Sequence, residues 1–335
     1  MKLGFIGTGK IASSTIKGIC NSKISFTSIL ISPRNQLIAS NLRKNFRKVA
    51  IAKDNQEIVN KCDWVFLSIT PTVGEKIIKN LNFKSNQTII SFISTITLLQ
   101  LKKAIKVKAT IIRAIPLPPI SLGKGPVPIC PPNKKVKDFF NKIGTTVEIK
   151  NEKSSINFWS TSGMMAPFYE LLRVMTEWLV KRGVKKKDAQ KYITSLFLAL
   201  AEDAVVNSKK DLKHLVKDFF NKIGTTIEIK NEKSSINFWS TSGMMAPFYE
   251  LLRVMTNWLV KRGVKRDSAQ KYITSLFLAL SVDAVVNSKK DLKYLVKESQ
   301  TPKGLNEQGV KELSKSGFYK SLEKTLNSIH KRLSK

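Results

Sequence analysis

The chain opens with a short apolar run, LGFI (3–6), that passes at once into GTGKIA (7–12), a G-x-G-x-x-A pattern. No other stretch narrows the possible folds so far. An apolar strand that ends in a glycine turn and feeds a helix makes a tight corner with exposed amides. Gly7 permits the turn, Gly9 lets a pyrophosphate approach the backbone, and Ala12 lets the helix lie close on the strand. The helix N-terminus then presents amide donors and partial positive charge to that phosphate. The motif predicts a dinucleotide crevice at the end of the first strand of a parallel sheet.

The sequence that follows agrees. FTSILI (26–31), VAIA (49–52), DWVFLSI (63–69), TIISFI (88–93) and ATIIRAI (109–115) read as further strands, with helical patterns between several of them. Near-continuous apolar strands alternating with helices indicate a mostly parallel sheet covered on both faces. Pro116, Pro118, Pro119 and the run GKGPVPICPPN predict a long punctuated loop from which helix is excluded. At the end of the second strand stands ISPRN (31–35), where an NAD site would carry Asp or Glu for the ribose hydroxyl. Ser32, Arg34 and Asn35 stand there instead, and Arg34 can pair with a 2′-phosphate, so NADPH is the expected cofactor in preference to NADH.

From 136 onward the chain is a tandem repeat. Residues 136–215 and 216–295 match at all but eight of 80 positions, and INFWSTSGMMAPFYELLRVMT stands unchanged at 156–176 and 236–256. Solenoid repeats are shorter and need about three copies, so two long copies do not describe a solenoid. Each copy reads as a short helix (VKDFFNKIG), a strand (TTVEIK or TTIEIK) and two long helices. In the first, Trp159 to Leu179 presents a wide apolar surface, Pro167 predicts a kink, and Gly183 is placed to end the helix. Surfaces this apolar are core or subunit interface. The fold class expected is therefore an α/β N-terminal domain over 1–150, followed over 151–335 by an all-α oligomerisation domain enlarged by the duplication.

Composition bounds the function more weakly. The formal charge is +34, from 58 Lys+Arg against 24 Asp+Glu, and both halves of the chain are basic. Only 10 of those 58 are Arg, and no nucleic-acid reading module is present, so compositional bias is favoured over a nucleic-acid partner. Cys20, Cys62 and Cys130 fit no metal-ligand spacing, and no run of about 18 apolar residues predicts a membrane span. A cytoplasmic setting is the expectation. No nucleophilic triad or metal cluster is present, and His214 and His330 read as surface histidines. Hydride chemistry that assigns no side-chain acid or base fits this inventory.

Several stretches together resemble the pyrroline-5-carboxylate reductase family. GFIGTGKIA is similar to its opening, and DNQEIVNKCDWVFLSITP (54–71) to its segment before a Val-Lys-Pro loop. ISFISTITLLQLKKAI and IIRAIPLPPI resemble its later strands. STSGMMAPFYELL resembles its Ser-Gly-Ser-Gly-Pro-Ala-Tyr helix start, and TPKGLNEQGVKELSKSGFYKSLEKTLNSIHKR (301–332) its substrate loop and closing helices. Removing one copy of the repeat leaves 255 residues, a usual length for that family.

The resemblance implies a Rossmann-type domain, a helical domain that interlocks with another subunit, and hydride transfer from NAD(P)H to the C=N carbon of a cyclic imino acid, 1-pyrroline-5-carboxylate. It implies a homodimer or higher homo-oligomer, with no membrane. Gly7, Thr8, Gly9, Lys10, Ile11, Ser32, Asn55, Ile69, Thr70, Pro71, Ser94 and Thr95 would line the cofactor. Thr301, Pro302 and Gly304 keep the loop pattern, and Gly304, Leu305 and Asn306 would offer amides to the substrate carboxylate. Departures fall on the substrate side: Lys303 replaces a loop glycine, Leu305 and Asn306 replace two threonines, and Thr70 replaces the Lys of Val-Lys-Pro. Leu117-Pro118 and Met164-Met165 also differ from the pattern. A related imine or keto substrate, and a non-catalytic dinucleotide-binding protein altered by the duplication, stay open. Chain continuity predicts that the first copy's strand completes the sheet and that the second copy's helices lie beside the 301–306 loop, the extra helices standing in for a partner's.

Overall fold

The computed structural model describes residues 1–207 and 232–334. The chain divides into two units, Met1–Ser155 and Ile156–Lys335.

The first unit is built on eight strands: β1 (Lys2–Ile6), β2 (Ser28–Ile31), β3 (Val49–Ile51), β4 (Trp64–Leu67), β5 (Thr88–Ser91), β6 (Thr110–Ala114), β7 (Pro126–Cys130) and β8 (Thr145–Glu148). Their order in the sheet is β3-β2-β1-β4-β5-β6-β7-β8, and every neighbouring pair is parallel except β6–β7. Helices α1 (Lys10–Cys20), α2 (Gln36–Asn45), α3 (Asn55–Lys61), α4 (Pro71–Lys79), α5 (Leu98–Ile105) and α6 (Lys134–Phe140) complete it. Alternate strand residues feed two separate cores. Phe5, Ile29, Phe66 and Ile112 join Ile16 and Phe140 on one face, while Ile6, Val65, Leu67 and Ile89 join Ile58 and Leu101 on the other. Each such fully buried side chain contributes about 1.5–3 kcal/mol, which explains strands with no polar side.

Strand β7 corrects the loop expected after Pro116. Its five residues, PVPIC, are all buried. Proline is excluded from a strand because it donates nothing to the ladder, but this strand accepts: Thr145 N–H donates to Gly125 C=O, Ile149 N–H to Ile129 C=O, and Ile115 N–H to Pro128 C=O. The edge strand β8 comes from the first repeat copy, as continuity predicts. The matching segment of the second copy, 225–230, lies outside the described residues, as does His214.

The second unit is helical. The first copy supplies α7 (Ser155–Ser162), α8 (Met165–Val180) and α9 (Lys186–Val206); the second supplies α10 (Glu232–Ser242), α11 (Met245–Lys261) and α12 (Arg266–Val286). The closing helices are α13 (Leu292–Ser299), α14 (Leu305–Lys315) and α15 (Phe318–Leu333). The kink expected at Pro167 is a break. α7 ends at Ser162, and α8 restarts at Met165, so Pro167 falls in the first turn, where its missing N–H has no acceptor to lose. Gly183 does end α8, in the left-handed region at φ +84, with Val184 N–H returning to Leu179 C=O. α12 is long and apolar enough to cross a membrane by length and composition, and 67% of that window is buried inside the protein.

Candidate functional site

In the first unit, every residue expected to hold the cofactor stands at the carboxyl end of a strand. Gly7 to Ile11 follow β1, and Ser32 and Arg34 follow β2. Asn55 opens α3 beyond β3, Ile69 to Pro71 follow β4, and Ser94 and Thr95 follow β5. The chain leaves β1 to one side for β2 and to the other for β4, so the order reverses there. A crevice at such a reversal, outside the carboxyl ends, is where open α/β sheets bind ligands.

The two fingerprint glycines have different duties. Gly7 sits at φ +95, and a Cβ on it would lie 2.4 Å from the Ser68 carbonyl oxygen. Its N–H donates to Ser32 Oγ at 3.2 Å, and Thr8 Oγ1 donates to Ser32 C=O at 2.7 Å. Ser32 therefore ties the loop after β1 to the loop after β2. Gly9 is the N-cap of α1, no side chain caps that helix, and a Cβ there would meet nothing within 4 Å. That open helix start, with its amides free of a side-chain cap, fits a phosphate group. Arg34 is exposed just beyond β2, and Asn35 next to it caps α2 by accepting from Ile38 N–H. Residues 32–35 bring no carboxylate to this rim.

A partly buried ion pair supports the far side of the crevice. Arg113 on β6 is buried; it donates to Glu152 and to the Ser94 carbonyl, while Glu152 also accepts from Leu98 N–H at 2.7 Å. This pair fixes the loop carrying Ser94 and Thr95. Sequence reading passed over it because its members are 39 positions apart. Burial pushes the Cys62 thiol up to about 12 and Cys20 to about 11, so neither is a thiolate at neutral pH.

In the second unit, Thr301 to Asn306 form a tight turn into α14. Gly304 N–H donates to Thr301 C=O at 2.8 Å, and Gly304 is the N-cap. Lys303, standing where the family pattern has glycine, holds the left-handed conformation at φ 59. Its N–H donates to the Glu307 carboxylate. Lys311 and that amide hold Glu307 below the ordinary carboxylate range. The loop thus keeps a glycine's backbone without the glycine. A cleft beside it is lined by Glu170, Lys293, Lys297, Gln300, Thr301 and Glu307. The two lysines were absent from the sequence reading; their i,i+4 spacing in DLKYLVKES was the available signal.

The loop packs on the first copy of the repeat, not the second as continuity predicts. Asn306 Oδ1 accepts from Ala166 N–H at 2.9 Å, and a Cβ on Gly163 would lie 3.2 Å from Leu305 Cβ. Trp178 Nε1–H donates to Asn327 Oδ1 at 2.9 Å, anchoring α15 on α8 as well. The closing helices follow α12 in sequence, but α13 and α14 cross to α8, while α15 packs on both α8 and α10 of the second copy. The matching face of the second copy is more open: Val174 is 6% exposed and its counterpart Val254 52%. His330 is not a surface residue, since it is half-buried against Trp178 and bonded to Asn237.

Residues 2–95 match the family model described as NADP oxidoreductase coenzyme F420-dependent, and residues 235–335 match that for pyrroline-5-carboxylate reductase dimerisation. The chain thus joins an oxidoreductase cofactor domain to a pyrroline-5-carboxylate reductase dimerisation segment. It is thereby an oxidoreductase with a nicotinamide dinucleotide cofactor, in a family that acts on a C=N bond. A reductase of that name from Vibrio alginolyticus is 22% identical over 237 residues, covering 68% of this chain and 87% of its own. The pyrroline carboxylate reductase of Plasmodium falciparum, solved with NADP bound, shares the fold at a TM-score of 0.55 and 20% identity, over 82% of this chain and 98% of its own. The Streptococcus pyogenes reductase gives 0.51 and 23%, over 81% and 98%. The second match begins in the second copy of the repeat, within α10, and runs through α15.

Proposed function

We propose that this chain reduces 1-pyrroline-5-carboxylate to proline, with NADPH preferred over NADH. The observation that carries the reading is the retained turn at 301–306, which presents a helix start in the place where the family binds the substrate carboxylate. Gly7 to Ile11 and Ser32 would hold the pyrophosphate side of the cofactor, and Arg34 a 2′-phosphate. Asn55, Ile69 to Pro71, Ser94 and Thr95 would line the remainder. When bound, the reduced nicotinamide supplies the hydride.

The chain's own contribution is placement. The amides of Gly304, Leu305 and Asn306, with Thr301 beside them, would fix the imino acid by its carboxylate, and Lys293 and Lys297 add positive charge along the neighbouring cleft. Holding two reactants at one distance and angle replaces an encounter with a unimolecular step. No side chain is assigned as proton donor. The altered Lys303, Leu305 and Asn306 favour, as a second reading, a related cyclic imine or keto acid carrying the same carboxylate.

The test is NADPH oxidation, followed by its absorbance, on addition of pyrroline-5-carboxylate. Turnover of that substrate above other cyclic imines and keto acids is expected. Bound NADPH without turnover of it, alongside turnover of another imine, transfers the assignment to the second reading. Bound NADPH with no turnover of any leaves a dinucleotide-binding protein.

A further inference from the structure

When two identical chains meet about a two-fold axis, residue i of one touches j of the other, and j touches i. The same reciprocity exists inside this single chain, at an offset of 80 residues. Tyr169 Oη donates to the Asp283 carboxylate at 2.7 Å, and Tyr249 Oη to Asp203 at 2.9 Å. Tyr272 Oη donates to Phe158 C=O at 2.9 Å, and Tyr192 Oη to Phe238 C=O at 3.3 Å. Phe168 meets Phe277 edge-on with ring centroids 5.1 Å apart, and Phe248 meets Phe197 edge-on at 5.2 Å. Each pair is the other with the copies exchanged. Phe168 also faces Phe248, its own counterpart, at 6.3 Å, which places the axis between them.

We infer that the two copies form an internal dimer, in which one copy occupies on the other the face that a second chain would take. The occupant is named by the contacts themselves. α9 and α12 lie side by side, and the aromatic rings at their junction, Phe168, Phe197, Phe248, Phe277 and Tyr272, are all buried. No surface remains along that seam for another chain. The tyrosine donors are held neutral by burial and by the facing carboxylates, which push both phenols well above their ordinary range. The family segment that matches here is a dimerisation segment. Its pairing in this protein is satisfied within one chain, beside one cofactor fingerprint and one 301–306 loop. The assignment does not depend on which imine is reduced.

An interface inside one chain forms without a concentration term, whereas one between chains strengthens with concentration. The full chain is therefore expected to sediment at one-chain mass, 37.7 kDa, and to melt at one temperature across a roughly hundredfold dilution series. Two full-length chains carrying different tags, expressed together, are expected not to co-purify. Deletion of residues 216–295 joins Leu215 to Val296 and leaves each helix once. That shorter chain is expected to sediment at twice its own mass and to melt lower on dilution. A full-length dimer whose melting temperature falls on dilution, or co-purification of the two tags, overturns the inference. So does a deleted chain that is folded by circular dichroism yet stays a single-chain species. Should the deleted chain not fold, the full-length masses, melts and tag exchange decide alone.

Discussion

Gly9 and Gly7 are equivalent in the fingerprint and opposite in the structure, and replacing each by alanine separates a binding role from a folding role. At Gly9 the backbone is at φ −90, ψ −170, open to any residue, and the added Cβ meets nothing within 4 Å. Replacing a glycine N-cap by alanine costs roughly 0.5–1 kcal/mol, so the melting temperature is expected to fall by no more than about 4 °C. The same methyl projects into the open space where a pyrophosphate would lie. Loss of one charge-assisted hydrogen bond there costs about 1.5–3 kcal/mol, or roughly a ten- to hundredfold rise in the Kd for NADPH. At Gly7 the left-handed backbone costs an alanine about 1–2 kcal/mol, and crowding the Ser68 carbonyl adds about 1–3 kcal/mol. Gly7→Ala is thus expected to lower the melting temperature by roughly 5–15 °C. Thermal melts by circular dichroism and NADPH titration by calorimetry read both quantities. A Gly9→Ala protein that binds NADPH as tightly as the parent, or that melts as low as Gly7→Ala, refutes the division of labour.

Arg34→Ala is expected to weaken NADPH more than NADH in the same titration; equal losses would remove Arg34 from the 2′-phosphate. Among the described residues the Ser281 hydroxyl is buried with no hydrogen-bond partner, and the first copy carries alanine at the matching Ala201, also buried. Ser281→Ala is therefore expected to raise stability by about 1–2 kcal/mol in denaturant unfolding, and a loss would mean the hydroxyl is satisfied. Lys303→Gly relieves a left-handed non-glycine residue, for a gain of about 1 kcal/mol by the same measurement. No gain there would show that the loop relaxes once lysine is removed. Glu152→Ala strands the buried Arg113 guanidinium and is expected to cost roughly 3–5 kcal/mol. A cost under about 1 kcal/mol would mark the pair as solvated.

What was legible in the sequence was what short-range patterns control. GTGKIA lies within six consecutive residues, so its turn, its helix start and the sheet behind it could be read together. β7 was not legible, because Pro126 and Pro128 cannot donate to a neighbour, and only the partner strands show that the strand accepts instead. The break between α7 and α8 was hidden for a related reason: Pro167 signals disruption without saying whether a helix bends or restarts before it. The seat of the 301–306 loop was misread because nearness along the chain stood in for nearness in space. α13 and α14 leave α12 and settle on α8, α15 reaches both copies, and two copies identical over 21 residues give no local signal to choose between them. Arg113 with Glu152 is a contact of tertiary structure, as is every reciprocal pair across the axis.

A pair of identical chains inherits each substitution twice, at both ends of every two-fold contact, and a change that suits one side must be tolerated by the other. Enclosing both halves in one chain lifts that constraint. Val282 can replace an acid whose counterpart, Glu202, persists on the other helix, and Asn257 can stand where Glu177 keeps its ion pair with Arg173. The first copy is bound to its sequence by the loop and closing helices seated on α8. In the second copy the face of α11 around the exposed Val254 is free to drift or to acquire a different task.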